Sequence, residues 1–238
     1  MTPSSLDLPF FAFDSRDGAC QAAADALAAF SRHAINEGRR ARVALSGGSS
    51  PAPAYNAFAA MNLDWSQVDI ALVDDRWVDL DDAGSNEAMI RTAFAPATDV
   101  TIFGMKTKDG NPFDGAQSLE PIYARLRPFD AIILGMGPDA HTASWFPASP
   151  QLGVCLSPLT GETVLGLDAS ASPVASPYPH RITLTLPPIA SAAHVVLLIF
   201  GDDKKQVLTE ALRTDVTQSP IRAILEACGE HVVVFWAK

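Results

Sequence analysis

The chain has 238 residues, 48% of them hydrophobic and 18% charged, enough to bury a substantial core as one large domain or two small ones. Its 17 Lys and Arg stand against 27 Asp and Glu, a formal net charge of −10. Such acidity argues against a nucleic-acid partner, because phosphate backbones need a basic surface, and an anionic ligand would need the few cations gathered in one place. Cys20, Cys155 and Cys228 lie far apart with no CxxC spacing, which argues against a disulfide framework or a zinc site and fits a reducing compartment. No basic segment followed by an apolar stretch opens the chain, and the longest apolar runs are strand-length. The expectation is a cytoplasmic protein of enzyme size with no membrane contact.

In chain order, Asp17 to Glu37 reads as an Ala-rich helix ending at Gly38, and Arg42 to Leu45 as a short strand. Pro51 to Met61 reads as a helix with Ser50 as N-cap and Pro51 in the first turn. Val68 to Val73 is a strand, Ser85 to Phe94 a helix, and Gly115 to Leu126 a helix feeding the strand Phe129 to Leu134. Residues 149–179 are richer in Ser, Pro and Gly, with a short strand at Thr163 to Leu167. Ile182 to Leu186 is a strand, and a short helix follows Pro187-Pro188. His194 to Phe200 is a strongly apolar strand, Asp202 to Leu212 and Ile221 to Ala227 are helices, and His231 to Trp236 is a last strand. Alternating strands and helices predict an α/β fold, a mostly parallel sheet covered on both faces. No repeat or linker divides the chain, so residues 1–238 are expected to form a single domain.

The strongest chemical signal is Leu134-Gly135-Met136-Gly137-Pro138-Asp139-Ala140-His141-Thr142, glycines, a carboxylate and a histidine beyond a buried strand. Ligands of open α/β sheets sit at the carboxyl ends of strands. Neutral imidazole can accept a proton from water near pH 7, and an adjacent carboxylate can fix its tautomer. His141 is therefore the candidate base and Asp139 its partner. Gly135 to Ala140 also fits the dinucleotide pattern G-x-G-x-x-A, but Asp139 would put negative charge near a pyrophosphate and no acidic strand end lies at the expected spacing.

Further candidates occupy other strand ends. Ser46-Gly47-Gly48-Ser49-Ser50 can cradle an anion with backbone N–H groups and hydroxyls, though it lacks the GK[ST] ending of a P-loop. Asp74-Asp75-Arg76 offers carboxylates and a guanidinium, and Ser85-Asn86 either caps a helix or bonds a ligand. Arg181 and Lys204 are suited to a phosphate, Arg through its fork and Lys as a point charge. His33, His194, His231 and the three cysteines are assigned to structure or surface.

Together these segments resemble the 6-phosphogluconolactonase family, in the sugar-phosphate isomerase/deaminase superfamily with its modified Rossmann-like three-layer fold. Residues 46–51 are similar to the family's SGGSTP, 74–78 to DERWV, Ser85-Asn86 to SN, 134–147 to LGMGxDGHTASLFP, 181–184 to RITL and 201–204 to GxxK. The resemblance implies hydrolysis of 6-phospho-D-glucono-1,5-lactone in the oxidative pentose phosphate pathway by a monomer or homodimer, with no cofactor and no metal. It implies that His141 activates water and Asp139 orients it. Arg76 and Asp74 would act near the reacting end. Ser46, Gly47, Gly48, Ser49, Ser50, Asn86, Arg181 and Lys204 would bind the substrate and its phosphate.

Two rivals share the superfamily. Glucosamine-6-phosphate deaminases have DGHIAFNEP in the His turn, with a Glu where this chain has Phe146, and DEY where it has Asp74-Asp75-Arg76. A non-catalytic sugar-phosphate sensor would need a DNA-binding module, which neither the charge nor the start of the first predicted helix favours. Four positions depart from the lactonase pattern: Asp75 for Glu, Ser50 for Thr, Asp79 for a common Pro, and Ala140 for Gly. If position 140 needs positive φ, Ala costs about 1–2 kcal/mol there or shifts the turn that carries His141.

Overall fold

The apolar runs expected to be buried on both faces form the inside of a parallel sheet in a computed structural model that describes residues 8–238. Ten strands are described: β1 (Phe10–Phe13), β2 (Ala41–Leu45), β3 (Val68–Leu72), β4 (Asp74–Arg76), β5 (Thr101–Phe103), β6 (Ala131–Leu134), β7 (Val164–Asp168), β8 (His180–Leu184), β9 (Val195–Phe200) and β10 (Val232–Ala237). The α-helices are α1 (Arg16–Asn36), α2 (Ala52–Ala59), α3 (Asn86–Ala93), α4 (Pro112–Leu126), α5 (Leu152–Cys155), α6 (Leu186–Ala190), α7 (Asp202–Ala211) and α8 (Ile221–Cys228).

Seven strands make a fully parallel sheet in the order β1-β10-β9-β6-β2-β3-β5. Chain connections from β2 run outward toward β3 and β5, whereas those from β6 run the other way toward β9 and β10. The order therefore reverses between β2 and β6, and a crevice opens there beyond the strand ends. The Ser46–Ser50 loop follows β2 and the His141 turn follows β6, so the two strongest sequence signals flank this crevice.

A second, antiparallel sheet, β4-β8-β7, stands over the ends of the first. Val73 alone separates β3 from β4 and joins the sheets: its N–H donates to Leu45 O at 3.0 Å, and its carbonyl accepts from Leu184 N at 2.8 Å. The expected strand Val68 to Val73 thus ends one residue early, and Asp74–Arg76, read from sequence as a charged strand end, is a strand of its own. Both sheets contribute to one continuous hydrophobic core. β1 and β5, short strands at the two edges, were not expected from sequence.

Local signals explain the helix ends. Ser15 caps α1 by accepting from Gly18 N at 3.0 Å, Ser85 caps α3 by accepting from Ala88 N at 3.1 Å, and Asn111 caps α4 ahead of Pro112. Ser50 departs from expectation and does not cap α2. Pro51 occupies that position with helical φ and ψ, so the chain has turned before Ser50 can reach back, and no side chain caps the helix. Among the described residues no helix is long and apolar enough to cross a membrane.

Candidate active site

The crevice holds a cavity of about 290 Å³ whose wall includes Ser46, Gly47, Gly48, Ser50, Asp74, Arg76, Asn86, His141, Arg181 and Lys204. Of the residues singled out from sequence, Ser49 and Asp139 are absent from the wall. Ser49 is exposed beside it, and Asp139 lies behind His141. Among the described residues no group of three or more His, Cys, Asp or Glu side chains is placed to hold a metal ion.

The His turn is built on a missing Cβ. His141 Nδ1 and Asp139 Oδ1 are 2.5 Å apart, and the same oxygen accepts from His141 N at 3.3 Å. A Cβ on Gly137 would lie 2.0 Å from His141 Nδ1 and 2.7 Å from Asp139 Oδ1, so only glycine leaves room for the pair. The turn closes through Gly137 N to His141 O at 2.7 Å and Ala140 N to Gly137 O at 3.2 Å. Burial pushes the Asp139 carboxyl up, but the His141 hydrogen bond and charge outweigh it and hold the group below its ordinary value. With Nδ1 engaged, Nε2 is the nitrogen left for a ligand. The imidazole packs on buried Phe146 at a ring separation of 4.3 Å.

Strand alternation divides the Asp74-Asp75-Arg76 triplet. Asp74 and Arg76 face the cavity, while Asp75 turns to the start of α3 and accepts from Asn86 N at 2.7 Å and Glu87 N at 3.0 Å, as well as from Arg76 N at 2.7 Å. Asp74 is fixed by Ser144 Oγ, which donates to Oδ2 at 2.6 Å. Its carbonyl accepts from Asn86 Nδ2 at 2.9 Å. Asn86 in turn occupies the space of a Cβ on Gly47, 1.9 Å from it, which locks the β2 loop against α3. Ser144 carried no assigned role in the sequence reading, although it lies within the His-turn motif.

Arg76 and Arg181 are direct partners in the β4-β8 register, so the two arginines expected at different ends of a ligand enter the cavity side by side. Arg181 is buried, donates to Tyr178 O at 2.6 Å and Ala175 O at 3.2 Å, and has its guanidinium 5.0 Å from the Phe146 ring centre. Burial draws its pKa down to about 10 although Asp74 opposes the change. Arg76 donates to Gly84 O at 2.6 Å, and its Nε has no partner. Lys204 enters from the first turn of α7, donates to Met136 O, and is held below its ordinary pKa by burial although Asp139 opposes this. None of Arg76, Arg181 and Lys204 is within salt-bridge distance of a carboxylate among the described residues. In an acidic chain, three cations converging on one cavity give it a local charge suited to an anion.

A family model described as Glucosamine-6-phosphate isomerases/6-phosphogluconolactonase matches residues 14–235. The chain is 35% identical over 206 residues to a 6-phosphogluconolactonase of Xylella fastidiosa, covering 85% of this chain and 84% of that protein. It is 34% identical over 246 aligned positions to one from Caulobacter vibrioides, covering 100% and 99%. A crystal structure of a 6-phosphogluconolactonase from Shewanella baltica superposes with a TM-score of 0.90 at 32% identity, covering 98% of both chains. A monomeric glucosamine-6-phosphate deaminase of the NagB superfamily shares the fold at a TM-score of 0.77 and 17% identity. The chain belongs to the glucosamine-6-phosphate isomerase/6-phosphogluconolactonase family.

Ala140 takes φ = 59°, so this position does require the left-handed region. The turn nevertheless closes, and Ala140 O accepts from Ile221 N at 3.0 Å. The strain of about 1–2 kcal/mol is offset by a buried methyl, about 0.8 kcal/mol, and by avoiding glycine's entropy, about 0.5–1 kcal/mol. We predict that Ala140→Gly changes turnover less than about threefold. A gain of tenfold or more in steady-state kcat would contradict an intact native turn.

Burial pushes Asp75 up to about 7 despite its three N–H donors, and Asp74 adds to the rise. A carboxyl with a raised folded pKa contributes stability that is fully present below its unfolded value, about 3.9, and is lost as pH rises toward the folded value. The expected result is that Asp75→Asn gains in Tm relative to the parent as pH rises from about 4 to 7. Parallel Tm curves across that window would show that Asp75 ionises without this cost.

Proposed function

We propose that the chain hydrolyses 6-phospho-D-glucono-1,5-lactone to 6-phospho-D-gluconate, the step of the oxidative pentose phosphate pathway that opens the lactone. The observation that carries this reading is the Asp139-supported His141 in a cavity lined by unpaired cations, within a family whose relatives at 31–35% identity bear the 6-phosphogluconolactonase name. His141 Nε2 takes a proton from water as the water oxygen attacks the lactone carbonyl carbon. The carbonyl oxygen becomes an oxyanion, and Arg76 is our candidate to stabilise it. Collapse of the tetrahedral intermediate breaks the bond to the ring oxygen, which leaves with the proton returned by the imidazolium. Asp139 keeps the proton on Nδ1 and so leaves Nε2 as the accepting nitrogen.

The Ser46–Ser50 loop, Arg181 and Lys204 hold the phosphate, and Asn86 and Asp74 face the sugar. Remote phosphate binding positions the ring for attack. Phe146 supports lactone hydrolysis over sugar-phosphate deamination, because it stacks on His141 where the deaminase pattern carries a carboxylic acid and cannot exchange a proton.

The test is hydrolysis of freshly generated 6-phosphogluconolactone with spontaneous opening subtracted. His141→Ala should lose about 10²–10⁴-fold in kcat. Lys204→Ala should chiefly raise KM, by about tenfold or more for one charge-assisted contact. Near-wild-type turnover by His141→Ala would remove it as the base.

A further inference from the structure

We propose that Arg16 is an additional phosphate contact of this site, an inference that rests on the reading above. Arg16 lies outside every motif that marks the family resemblance, at the first position of α1, yet its side chain lines the cavity beside Phe200 and Lys204. A cation there opposes the helix dipole, so helix stability does not account for it. Nor does pairing with an acidic side chain, because no Asp or Glu carboxylate among the described residues lies within salt-bridge distance of it.

The surrounding contacts aim Arg16 at the anion end. Its Nε donates to Lys238 O at 3.3 Å, and its guanidinium carbon sits 5.5 Å from the Phe200 ring centre. Lys238 Nζ is 3.3 Å from Asp202 Oδ2, in the first turn of the helix that carries Lys204. One helical turn after Arg16, on the same face of α1, Cys20 Sγ lies 3.8 Å from Ser50 O of the glycine-serine loop. Arg16 is thereby held between the Lys204 helix and that loop. Only Nε is engaged, and both terminal nitrogens remain to form a fork on phosphate oxygens.

The experiment compares the parent, Arg16→Gln and Arg16→Lys on 6-phosphogluconolactone and on unphosphorylated glucono-1,5-lactone, with 6-phosphogluconate binding measured by calorimetry. Arg16→Gln should raise KM for the phosphorylated lactone about tenfold, more than it changes kcat. Its preference for the phosphorylated over the unphosphorylated lactone should fall by a similar factor. Arg16→Lys should recover part of that loss. An unchanged KM, or an equal loss on both lactones, would overturn the assignment while leaving lactone hydrolysis intact. If the parent hydrolyses neither lactone, the functional reading fails by itself. Calorimetry then decides Arg16: weaker 6-phosphogluconate binding by Arg16→Gln supports the contact, and equal or undetectable binding by parent and variant removes it.

Discussion

The candidate chemistry depends on one steric vacancy, the missing Cβ of Gly137. It admits the imidazole of His141 and the carboxylate of Asp139 to the same spot, so that two short-range neighbours in sequence become a 2.5 Å pair. The constraint propagates outward. The turn must close tightly enough to bring His141 O back to Gly137 N, and this drives Ala140 to positive φ. Beyond it, Thr142 Oγ1 bonds Gly135 O at 2.8 Å, Ser144 bonds Asp74, and Trp145 Nε1 bonds Leu184 O at 2.8 Å. The same segment that presents His141 therefore anchors the second sheet and orients a carboxylate on the opposite wall.

The second sheet gives the site its electrostatics. An open parallel sheet supplies backbone N–H groups and loop side chains at its strand ends, but few fixed charges. By passing through Val73 into an antiparallel layer, the chain places Asp74, Arg76 and Arg181 above the crevice on strands rather than on loops. Rigid elements hold the two arginines side by side, a like-charge arrangement that an anionic ligand relieves. The overall charge of −10 makes such a local concentration a selective feature of one cavity rather than a property of the surface.

Much of this was legible in the sequence because the signals are local. The apolar run before Gly135 marked a buried strand, the glycines marked a sharp turn beyond it, and His141 was expected just past that strand end, where it lines the cavity. What stayed hidden depends on distant partners. β4 is three residues, all charged, and is a strand only because β8 pairs with it. β1 and β5 are short edge strands whose pairing partners lie far along the chain. Ser50 carried every mark of an N-cap, but Pro51 took the position, and Ser50 lines the cavity instead. Arg16 gave no signal, since its place at the site follows from how α1 packs across β9 and β10.

The central claim, that Asp139 makes His141 the base, is tested most directly by the pH dependence of kcat/KM for Asp139→Asn beside that of the parent. The account predicts a loss of about 10²–10⁴-fold at neutral pH. An Asp139→Asn enzyme with the parent's rate and the parent's profile would contradict it.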